Sequence, residues 1–176
     1  MRISTKTMVT IGMFTAVLSV LSILTIPMPS GVPMTLQTFA MALCGYVLEW
    51  KKGAAVTFIY ILLGCVGIPV FAGMTGGVSH LFSYTGGFIW GFVVFVICCG
   101  FSIKQKSMIA RIFLGGMGLA ICHLIGVIHF SIVAETRLAV AFVTVSMPYL
   151  PKDVISMIGA YAVAMPVRKA LLEHSR

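Results

Sequence analysis

Forty-two consecutive residues, 7 to 48, carry no charge, and after a short polar interruption a second uncharged stretch runs from 53 to 103. A bilayer core is crossed by about 20 apolar residues as a helix, so each stretch is long enough to cross more than once. A water-exposed fold could not cover this much apolar surface, because 60% of the chain is hydrophobic and 9% is charged, against about 25% charged in soluble domains. The chain reads as an all-α membrane protein. No polar linker divides it, so a single integral-membrane domain over residues 1–176 is expected.

Prolines, glycines and charges divide the apolar runs into six spans: 8 to 26, 36 to 48, 54 to 68, 81 to 103, a fifth ending near 134, and 151 to 167. The second is short, since thirteen residues rise only ~20 Å against a core of ~30 Å. Glu49-Trp50-Lys51-Lys52-Gly53 reads as a tight turn with an interfacial aromatic. Residues 138 to 151 suit an interfacial helix or lid. Arg2 and Lys6 ahead of an apolar run are signal-peptide-like, but Pro27 and Pro29 follow where a small-residue cleavage site would stand, so a retained first span is expected.

With six spans, Arg2, Lys6, Lys51, Lys52, Lys104, Lys106, Arg111, Arg168, Lys169 and Arg176 share one side, leaving Arg137 and Lys152 for the other. That bias places both ends in the cytoplasm. It also accounts for the net charge of +8 without nucleic acid, since the cations are not gathered on one polar face. The five cysteines lie in apolar runs and form no CxxC pair, which suits reduced packing residues.

Three Pro/Gly-bearing segments, 27–35, 69–80 and 135–151, then face outward together. In the first, three prolines stiffen the backbone while Thr35, Gln37 and Thr38 offer hydrogen bonds; it could cap a small-molecule cavity or merely connect two helices. In the second, Gly73, Gly76 and Gly77 would permit close backbone approach to a flat ligand, with Phe71 and Tyr84 as stacking surfaces. His80 could line the same pocket. His123 and His129 are six apart, so they cannot share a metal face, and no catalytic constellation or metal site is expected. No GxxxxGK[ST] loop is present to handle ATP. Small residues four apart recur at Gly12/Ala16, Gly87/Gly91, Gly116/Ala120 and Ala160/Ala164, each permitting close helix approach.

Four strings in order, GVPMTLQTF, GIPVFAG, TGGFIWGF and PYLPKD, resemble the BioY family, the biotin-capturing S components of energy-coupling-factor (ECF) transporters. The resemblance covers nearly the whole chain. It implies a six-helix S component in a bacterial cell membrane, a biotin pocket near the outer face under the first loop, and delivery by toppling in the bilayer. It also implies partners: a transmembrane coupling subunit docked on small residues of the first helix, here Gly12 and Ala16, and two cytoplasmic ATPases. Asp153 matches the acid of the family's P-x-D-x-x-K motif, where it would accept the ureido N–H groups of biotin. The motif's Lys position is Ser156 here, and Lys152 stands immediately before the acid. Lys152 and Arg137 are the candidates for meeting the ligand carboxylate. By residue chemistry alone, Asp153 could instead answer to the helix N-terminus or to Lys152. Competing readings are an S component for another small vitamin and an intramembrane enzyme acting on lipid.

Overall fold

The computed structural model describes residues 4–173; Arg2 and Arg176, counted above for topology, lie outside the described residues. The chain forms a helical membrane bundle: α1 (Thr5–Ile23), α2 (Gln37–Cys65), α3 (Gly86–Ser102), α4 (Met108–Val133), α5 (Leu138–Val145) and α6 (Leu150–Glu173), with a 3-10 turn at Val78–Leu81. By length and hydropathy, α1, α4 and residues Leu150–Leu171 of α6 are each sufficient to cross a membrane, while α3 is apolar but shorter.

The expected second and third spans are the two arms of α2. The polar turn contracts to one residue, Glu49, whose φ of 64° and ψ of 175° interrupt the helix. This backbone region is ordinarily glycine's. Around it the arms fold back on each other: a Cβ on Gly53 would lie 3.3 Å from Gly45 Cα, Thr57 Oγ1 approaches Met41 Sδ at 3.6 Å, and Gln37 Nε2 donates to Tyr60 Oη at 3.0 Å. In each pair the residue numbers add to 97 or 98, the register of an antiparallel hairpin centred on Glu49. Arg168 of α6 clamps the bend, donating to Glu49 Oε1 at 2.5 Å and to Val47 O at 3.1 Å. Beyond the expected end of the sixth span at 167, α6 continues past Pro166 to Glu173 and carries Arg168 in helix.

Glycine lets α3 lie directly on this hairpin. A Cβ on Gly45 would sit 2.6 Å from Val96 O, and one on Gly100 would sit 2.3 Å from Trp50 N. Gly87 and Gly91 admit α4 in the same way, with virtual Cβ contacts of 2.4 Å to His129 and 2.8 Å to Cys122. Ala160 and Ala164 are likewise interior. Gly12 and Gly116 differ, since a Cβ on either would meet nothing within 4 Å.

The first arm of α2 runs from the outer loops to the cationic end, and residues 40–48 are buried without a break. Tyr46, Tyr60, Phe95, Leu18 and Met41 are fully enclosed at its level. All five cysteines are free.

Candidate functional site

The three Pro/Gly segments expected outside converge on one cavity of about 400 Å³, at the end of the bundle away from Lys51, Lys52 and Lys104. Its roof comes from the first loop, which holds a feature hidden from periodicity. Two-residue strands, β1 (Thr25–Ile26) and β2 (Met34–Thr35), pair antiparallel and pinch the base of the Pro27–Pro33 loop. Strands this short are set by the closure of the loop rather than by an alternating pattern.

The α5–α6 junction holds that roof down. Tyr149 Oη donates to Val32 O and contacts Ser30 Oγ at 2.6 Å. Lys152 Nζ donates to Thr35 O at 2.8 Å. Val32 is buried in a small apolar cluster with Val127, Phe130 and Val145. The wall opposite is Phe71, edge-on to Tyr60 at 5.6 Å, and its ring occupies the space left by Gly64, where a Cβ would come within 2.0 Å. Tyr84 tilts against Phe130 at 5.4 Å.

The acidic group of the cavity is Asp153, 6% exposed, in the first turn of α6, where the helix N-terminus favours a carboxylate. Its Oδ2 lies 3.2 Å from His123 Nε2 of α4, and the other ring nitrogen meets Ser146 Oγ at 2.9 Å. With the ring neutral, Ser146 donates to Nδ1 and Nε2–H donates to the carboxylate, so three elements fix the orientation of Asp153. Oδ1 carries the Lys152 ion pair and accepts no hydrogen bond of regular geometry. That oxygen is itself enclosed, so a ligand donor reaches it only in place of Lys152.

Of the residues singled out from sequence, Thr35, Gln37, Phe71, Tyr84, Lys152 and Asp153 line the cavity, as does His80. Gly73, Gly76, Gly77 and Ser156 do not. The glycines serve the backbone instead: Gly73 and Gly77 have φ of 70° and 115°, and a Cβ on Gly76 would sit 2.6 Å from Ile68 O. Ser156 lies one turn beyond Asp153, away from the opening. Arg137 is exposed at the start of α5 and is not part of the lining.

Thr38, named with Thr35 and Gln37 from the sequence, also lines the cavity, whereas His123 and Tyr149 are contributors that a reading for ligand contacts passes over. His123 carried a usable signal, since an ionisable side chain in mid-span calls for a functional partner, as Asp153 does. Tyr149 lies inside the PYLPKD string but reveals its latch only once the loop is folded.

A family model for BioY matches residues 1–173. This chain belongs to the BioY family. Relatives include the biotin transporter BioY of Thermotoga maritima, 34% identical with 92% of this chain and 95% of that protein covered, and BioY of Rhizobium etli, 30% identical with 89% and 90% covered. A probable biotin transporter BioY of Pyrococcus horikoshii is 34% identical over 76% of this chain and 78% of its own. The bundle also matches the crystal structure of the S-component for biotin from an ECF-type ABC transporter, with a TM-score of 0.86, 22% identity, and 96% and 95% of the two chains covered. This shared fold agrees with the helical bundle described above.

Proposed function

We propose that this chain is the substrate-capture subunit of an ECF-type importer and that the roofed cavity binds biotin. The observation that carries the reading is the adjacent, oppositely charged pair Asp153–Lys152 in an otherwise largely apolar and aromatic recess. Biotin has matching parts: two ureido N–H donors for the Asp153 carboxylate, a carboxylate that can draw Lys152 from it, and a flat bicyclic body for Phe71 and Tyr84. Thr35 and Gln37 supply polar contacts from the roof and the start of α2. A charged side chain near membrane depth costs roughly 2.5–3.5 kcal/mol if central. A buried ion pair that also meets a ligand explains why that cost is retained.

The relatives named above are transporters rather than enzymes, and the chain carries no ATP-binding loop, so energy comes from partners: a transmembrane coupling subunit and two ATPases at a bacterial cell membrane. Gly12 and Ala16 present an exposed small-residue surface on α1 with no internal neighbour at Gly12, which suits docking of the coupling subunit. Mass spectrometry of ligand retained through detergent purification tests the assignment. Retained biotin supports it, another vitamin redirects it, and a lipid turned over by the purified chain refutes it.

A further inference from the structure

At the opposite end of the bundle a groove of about 490 Å³ gathers five cations from four parts of the chain: Lys6 of α1, Lys51 and Lys52 beyond the Glu49 bend, Lys104 after α3, and Arg168 of α6. Among the described residues the one acid in its lining is Glu49, engaged by Arg168 at 2.5 Å. Two of the lysines are positioned by aromatic rings. Trp50 and Phe101 stack at 4.9 Å and 11°, and the Lys51 and Lys104 ammonium groups lie 5.3 Å from the centroids of Trp50 and Phe101 respectively. Like charges held together repel, and an anion placed among them relieves that repulsion. The cationic groove thus has the chemistry of a phosphate site.

Its surroundings select the source of the phosphate. Trp50 marks the level at which headgroups lie. In the helical turn that follows Lys6 on α1, Met8 and Val9 are 54% and 64% exposed, an apolar track on the outside of the bundle at the same end as the groove. A soluble phosphate has no use for that track, whereas an acyl chain does. We propose that the groove binds the headgroup phosphate of an anionic phospholipid from the adjoining leaflet, with the acyl chains along α1. This holds whichever ligand the opposite cavity takes.

The test is thermal unfolding of the purified chain in detergent with added phosphatidylglycerol, phosphatidylcholine or glycerol 3-phosphate. It compares wild type, K51Q/K104Q in the groove, and K106Q/K169Q, which removes the same charge outside the groove lining. Phosphatidylglycerol should raise the apparent Tm of wild type and of K106Q/K169Q by about 5–10 °C at a hundredfold excess over its Kd. The rise should fall below half in K51Q/K104Q, with biotin binding unchanged. Equal rises in both double variants would show diffuse charge attraction and overturn the site. An equal rise with phosphatidylcholine would overturn the requirement for an anion, and one with glycerol 3-phosphate would assign the groove to a soluble ligand.

Discussion

Replacing His123 by Asn gives a measurement of how Asp153 is aimed. The His123 ring bridges Ser146 Oγ at 2.9 Å and Asp153 Oδ2 at 3.2 Å. An Asn amide can retain the nearer contact but is too short for the farther one, whereas a Gln amide reaches about where Nε2 sits. Polar bonds between membrane helices average about 0.6 kcal/mol, a factor of about three. A bond to a charged group is worth about 1.5 kcal/mol or more, a factor of about ten. Because Lys152 still covers Oδ1, the lower end of the charged range applies. Titration calorimetry with biotin should therefore show His123→Asn weakened about tenfold and His123→Gln within about threefold of wild type. If Asn binds within threefold of wild type, or if Gln loses as much as Asn, the ring does not act through the carboxylate and the positioning role is wrong.

Asp153→Ala should weaken biotin binding more than a hundredfold while leaving far-UV circular dichroism unchanged, because it removes a ligand acceptor and strands Lys152; unchanged affinity would remove Asp153 from the site. Tyr149→Phe deletes the donor to Val32 O, so amide exchange across residues 28–33 should accelerate severalfold, and unaltered exchange would show that the apolar seat of Val32 alone holds the roof. Gly100→Ala pushes a methyl into the Trp50 backbone, which no rotamer relieves, and should cost about 2–3 kcal/mol, read as a Tm drop of roughly 5–10 °C. Gly12→Leu meets open space, so it should fold and bind biotin normally yet copurify with several-fold less coupling subunit; equal recovery would exclude this face from docking.

The helices were legible where charge marks their ends, as at the Glu49 bend and Lys104, but not at Arg168, through which α6 runs on to Glu173. The convergence of three loops was also legible, since alternation of spans puts them on one side. What could not be read depends on contacts distant in sequence. The Tyr149 latch joins residues 117 apart, and the His123–Asp153 pair needs α4 and α6 to pack. The glycines at 73, 76 and 77 announced unusual backbone, but sequence cannot tell approach to a ligand from approach to Ile68 O. The short second span was foreseen, whereas its fold-back about a single strained residue was not.

The unbroken burial of residues 40–48 determines how cargo can leave. Beneath the cavity, Met41, Tyr46 and Tyr60 close the interior among the described residues, so the chain is a cup rather than a pipe. A cup has one mouth, and what enters by it departs by it. For the importer proposed above, release on the far side would then need the mouth itself to be carried there, the container turning in the bilayer while its floor stays sealed. Such a design would move a small ligand without opening a continuous path, and it would make the exterior of the bundle, which slides against lipid and partner, as much a part of the proposed transport cycle as the recess that holds the ligand.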